Sequence, residues 1–96
     1  MGMKLFIKEG GDARLPNKPR GFYLQLRSEG AKTINLYTAI ADKNGKEGLE
    51  SAFNLVKKEA REFQASYQIP VMYQDTNPGE GKVIRDLDSF MPEFTF

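Results

Sequence analysis

The sequence predicts an α+β fold, an antiparallel three- or four-stranded sheet packed on one long α-helix. Three observations carry that prediction. Leu49, Phe53, Val56, Ala60, Phe63 and Tyr67 recur at steps of four and three through residues 48–67, which is one face of a helix. The runs 3–8, 22–27 and 33–38 alternate apolar and polar side chains with the period of a strand. The chain of 96 residues is long enough for one core and too short for two, so helix and strands must bury their apolar sides on each other. The expectation is one domain over 1–96, with a core spanning 3–73 and a C-terminal tail, 82–96, packing back on it.

Each element has a local reason. Met3, Leu5 and Ile7 alternate with Lys4, Phe6 and Lys8, and Gly10-Gly11 stops this first strand. Met1 and Gly2 read as an addition ahead of a native Met3. Residues 9–21 have no period, and Pro16 and Pro19 exclude helix, so they form a loop whose basic members are Arg14, Lys18 and Arg20. It is longer than the usual connection of about 4–6 residues, and loops of that length tend to be either functional or mobile.

The second strand sets Phe22, Leu24 and Leu26 against Tyr23, Gln25 and Arg27. Ser28-Glu29-Gly30-Ala31 is a turn, with Gly30 able to take positive φ. The third strand then sets Ile34, Leu36 and Thr38 against Thr33, Asn35 and Tyr37. Asp42 or Asn44 can cap the helix that follows. Its polar face carries Glu50, Asn54, Lys57, Lys58, Arg61 and Glu62, and it must end before Pro70. Val71 to Tyr73 is a brief apolar run, and Asn77-Pro78-Gly79 breaks the chain. The tail, with Val83, Ile84, Leu87, Phe90, Met91, Phe94 and Phe96, is too apolar to stay in water. A short strand or helical turn over a bare sheet edge is expected of it.

Composition narrows the function classes. With no His and no Cys, the residues most used as bases and nucleophiles near neutral pH are missing, so a non-enzymatic role without cofactor or metal is expected. Asp86 and Asp88 share a side of an extended segment, but two acids at that spacing read as solvated carboxylates before they read as a Mg²⁺ site. Gly79-Glu80-Gly81-Lys82 lacks the spacing of a phosphate loop. No apolar run is long enough to cross a membrane and the start lacks a signal peptide's apolar stretch, so the expected location is cytoplasmic, away from membranes.

The net charge of +1 hides an asymmetry. Through Thr33 the chain carries Lys4, Lys8, Arg14, Lys18, Arg20, Arg27 and Lys32 against Glu9, Asp12 and Glu29, and the remainder is net acidic. If the apolar sides of the strands face the helix, Lys4, Phe6, Lys8, Tyr23, Gln25, Arg27, Thr33, Asn35 and Tyr37 face away from it. Cations there can neutralise phosphate, amides and Arg can bridge base edges, and rings can stack on bases. The expected nucleic-acid contacts are therefore Lys4, Lys8, Arg14, Lys18, Arg20, Tyr23, Gln25, Arg27, Asn35 and Tyr37, with DNA as the expected partner.

The runs Gly21-Phe22-Tyr23-Leu24-Gln25-Leu26-Arg27, Asn35-Leu36-Tyr37-Thr38-Ala39 and Glu47 to Ala60 together resemble the AP2 and integrase arm-type DNA-binding domains, over about residues 19–61. That resemblance implies three antiparallel strands on one helix, with the sheet in the DNA major groove and contacts from Tyr23, Gln25, Arg27, Asn35 and Tyr37. The chain departs from the family in having no Trp on the sheet, Tyr37 where Gly is usual, and a longer connection from Ala39 to Glu47. The competing expectation is a small protein-binding or inhibitor protein, phage-like in its size and plainness, that engages a protein through the same face or through the apolar tail.

Overall fold

The computed structural model describes residues 2–10, 20–42, 45–74 and 81–94. Along the chain run β1 (Met3–Glu9), β2 (Gly21–Ser28), β3 (Ile34–Ile40), α1 (Gly45–Tyr67), β4 (Val71–Gln74) and β5 (Lys82–Val83). The strands form one sheet in the order β3-β2-β1-β4-β5.

This corrects the expected sheet in two respects: it has five strands, and it is mixed. β1, β2 and β3 are successively antiparallel, whereas β4 lies parallel to β1 with Leu5 opposite Val71 and Ile7 opposite Tyr73. The direction follows from the connection. β3 points the same way as β1, and a single helix carries the chain back along the sheet, so the next strand sets off in that same direction. Next to β1 it can only be parallel. The backbone N–H of Leu5 donating to the carbonyl of Pro70 at 3.0 Å starts this ladder. β5 then pairs antiparallel with β4, and the Ile84 N–H donates to the Val71 carbonyl at 2.9 Å, so the tail does cover an edge of the sheet.

The hairpin turn has the expected chemistry. Gly30 sits at φ 76° and the Ala31 N–H closes on the Ser28 carbonyl at 3.1 Å. Gly21 answers a tighter demand, because a Cβ there would stand 2.3 Å from the backbone oxygen of Ala39. The helix starts a turn before the apolar stripe does, at Gly45, so Asp42 is too far ahead to cap it; Asn44 lies outside the described residues. It ends at Tyr67, followed by Gln68 at φ 55° and by Pro70.

One core joins helix and sheet. Leu5, Ile7, Phe22, Leu24, Phe53, Val56, Ala60 and Val71 are wholly buried in it. α1 lies chiefly over β2 and β3. The segment after β5 helps to close the rest, with Ile84 and Leu87 buried and Phe90 and Phe94 packed against the cluster. Phe53 sits where these parts meet. Its ring lies 5.2 Å from Phe22 on β2, 6.1 Å from Tyr73 on β4 and 5.8 Å from Phe90 in the tail.

Two helix residues depart from the amphipathic reading. Tyr67 shares the apolar stripe but is 62% exposed, stacked on Phe63 in a last turn whose Ala65 and Ser66 are also exposed. Lys57, expected in water, is buried. Its ammonium donates to the backbone carbonyls of Asp88 at 3.3 Å and Phe90 at 3.2 Å, tying the tail to the helix. Among the described residues no helix is long and apolar enough to cross a membrane.

Candidate nucleic-acid interface

Because the helix and the tail segment pack on one side of the sheet, strand parity places a defined set of side chains on the other. The register aligns them in rows across the strands. Asn35, Gln25, Phe6, Met72 and Val83 form one row from β3 to β5. Thr38, Tyr23, Lys8 and Gln74 form the next, and Arg27 opposite Lys4 begins a third. Lys4, Lys8 and Arg27 are the charged strand residues in these rows, all cationic, and no carboxylate accompanies them in the rows among the described residues.

Polar side chains on this face are tied together. The Gln25 amide donates from Nε2 to Asn35 Oδ1 at 3.0 Å and accepts at Oε1 from Arg27, at 3.3 Å from Nε and 2.9 Å from Nη2. Arg27 Nη2 also donates to Gln74 Oε1 at 2.8 Å. To reach from β2 to β4 the Arg27 side chain crosses β1 diagonally, and its guanidinium carbon rests 4.0 Å from the centre of the Phe6 ring. Phe6 is edged on its other flank by Gly81, where a Cβ would come within 3.2 Å of the ring and 3.0 Å of the Tyr73 carbonyl oxygen. Tyr23 lies against Gly10 in the same manner, since a Cβ at Gly10 would meet its ring at 2.5 Å. Both rings are thus seated against bare backbone, half-buried and half open to solvent.

Of the contacts expected from the sequence, Lys4, Lys8, Tyr23, Gln25, Arg27 and Asn35 share this face. Tyr37 does not, and its placement is corrected. Leu24 pairs with Tyr37 while Gln25 pairs with Asn35, so Leu36 is an extra residue in β3, a β-bulge. The strict alternation fails there, and both Leu36 and Tyr37 pack against the core. Arg20 directly precedes β2 and is spent on a neighbour, its guanidinium paired with the Glu9 carboxylate through Nη2 and, at 3.1 Å, through Nε. Arg14 and Lys18 lie outside the described residues.

Gln74, Met72 and Gly81 were not anticipated on this face. The signal was present: Val71-Met72-Tyr73-Gln74, bounded by Pro70 and the Asn77-Pro78-Gly79 breaker, is a strand-length run. The carboxylates considered for a cation are engaged elsewhere. Asp86 accepts from the Ser89 hydroxyl at 2.8 Å and the Asp88 N–H at 3.2 Å, and Asp88 pairs with Arg61. Ser89 is the main reason the Asp86 carboxyl is held below its ordinary value. No cluster of three or more potential metal ligands exists among the described residues.

Comparison with protein-family models, with curated proteins and with solved structures finds no match for this chain.

Proposed function

We propose that this chain is a small, non-enzymatic nucleic-acid-binding protein that takes DNA on the outward face of its sheet. One observation carries the reading. Lys4, Lys8 and Arg27 share that face with the rings of Phe6 and Tyr23 and the amides of Gln25, Asn35 and Gln74, and no carboxylate among the described residues opposes them. Such a face attracts a polyanion at long range and offers rings and amides at contact. Every one of these side chains stands on a strand, where its direction is fixed by the pleat.

Salt tests it. Neutralising phosphates with Lys4 and Lys8 predicts that log affinity falls with log salt at a slope of about −1.4 to −1.8. Lys4→Gln and Lys8→Gln should each flatten that slope by about 0.7–0.9 while leaving folding intact. Absence of binding to any nucleic acid at low salt, even at the roughly 10⁻⁴ to 10⁻⁶ M of non-specific contact, refutes the reading and leaves a protein partner in its place.

A further inference from the structure

Resting on that reading, we infer that the strand bound is single and unpaired, and that a base stacks on the outer face of the Arg27 guanidinium. Two features of the face lead there.

The first is width. Three strands span about 10 Å between outer axes and can follow a major groove about 12 Å wide. Here β3, β2, β1 and β4 lie side by side, with β5 beyond them. Three spacings of about 4.8 Å already separate the outer axes of those four by about 14 Å, before side chains are added. The face is too broad to enter the groove that the resemblance to three-stranded DNA readers implied. A flexible single strand needs only an open surface.

The second is how Arg27 is held. A guanidinium grips a base edge or a phosphate bidentately through Nε with Nη2, or through Nη1 with Nη2. Both forks need Nη2, and its two hydrogens are committed to Gln25 and Gln74. What Arg27 presents to a ligand is its flat outer side, backed by Phe6 at 4.0 Å. A cation plane supported by a ring is a stacking platform for an unstacked base, and every base has a face to offer it. Tyr23 stands on the same strand, one outward position beyond Gln25, and its half-open ring can take a second base. Lys4 and Lys8 on β1 lie alongside, placed for the phosphates between the two bases. This amounts to short-range, sequence-tolerant binding.

The test is fluorescence anisotropy with a labelled DNA of about 12 nucleotides, free and annealed to its complement, and with the RNA of the same sequence. The free strand should bind at least tenfold tighter than the duplex. Arg27→Lys keeps the charge and loses the plane, so it should weaken single-strand binding about 5- to 150-fold, as should Tyr23→Ala. Urea midpoints of both variants, within reach of the parent's, confirm that folding is not the cause. Duplex binding equal to or tighter than single-strand binding overturns this inference and leaves the proposed function standing. Preference for the free strand with Arg27→Lys silent overturns the stacking role, because a phosphate contact would survive that exchange. Tighter binding of RNA supports the single-strand assignment and moves the proposed ligand from DNA to RNA. No binding to any of the three overturns the proposed function itself.

Discussion

Phe53→Ala should remove more stability than any other single truncation in the helix. Phe53 is wholly buried, and the three rings around it come from β2, β4 and the tail. A cavity is cheapest where one flexible neighbour can collapse into it. Here Phe22 and Tyr73 are fixed on strands, so little of the space can be recovered and the cost belongs in the upper part of the about 3–5 kcal/mol typical of Phe→Ala in cores. A domain of this length has roughly 5–14 kcal/mol in total. With a urea slope of about 1–2 kcal/mol/M, a loss near 4 kcal/mol lowers the unfolding midpoint by about 2–4 M. Equilibrium unfolding followed by circular dichroism measures it. Phe53→Leu, which keeps most of the contacts, should fall between the parent and the alanine variant. A midpoint for Phe53→Ala within about 0.5 M of the parent's would refute the claim that sheet, helix and tail share one centre at this ring.

Three further outcomes are expected. Lys57→Met keeps the buried stem but leaves the Asp88 and Phe90 carbonyls without their donor, costing about 1–3 kcal/mol; hydrogen exchange should quicken at 84–90, and unchanged exchange there would mean the ammonium does not hold the tail. Gln68→Gly removes a side chain from the left-handed region at φ 55°, so thermal stability should rise by the equivalent of about 0.5–1 kcal/mol, and a lower melting temperature would contradict it. Asp86 is exposed, and its carboxyl is lowered from 3.8 by the Ser89 hydroxyl first and by backbone N–H groups after it. Its ionised form therefore favours the folded chain above that value, and the contribution fades as pH drops through the lowered folded value. The parent should exceed Asp86→Asn in stability near neutral pH and converge with it in acid; a gap that persists in acid would assign the effect to something other than ionisation.

The helix, the first hairpin and the inward residues of β1 and β2 were legible because each is written in a local period. Leu5, Ile7, Phe22 and Leu24 are buried as the alternation requires, and Leu49 to Ala60 as the helical repeat requires. What escaped has causes the local period does not contain. Lys57 looked solvated because its charge outweighs its stem in any pattern of polarity, yet two backbone carbonyls of the tail, more than thirty residues on, satisfy its ammonium. Tyr37 was placed outward by counting residues, whereas faces follow paired positions, and one unpaired residue in β3 moves it inward.

The same distinction decides the chemistry of the candidate site. That Arg27 stands outward is readable from Phe22 to Arg27 alone, but what it can offer a ligand is not. Its partner Gln74 lies 47 residues away on a strand whose parallel register against β1 is set by the helix crossover. Without Gln74 beyond β1, only the Phe6 ring itself would draw the side chain across the strand, and the Nη1–Nη2 fork would be open to a base edge or a phosphate while Nε stayed on Gln25. With it, the fork is closed and the face is open. Gln74→Ala therefore separates the two chemistries in one chain: it should free one of the two Nη2 hydrogens while the other stays on Gln25, reopen the Nη1–Nη2 fork, loosen the stacked platform and shift Arg27 toward contacts that a lysine can replace.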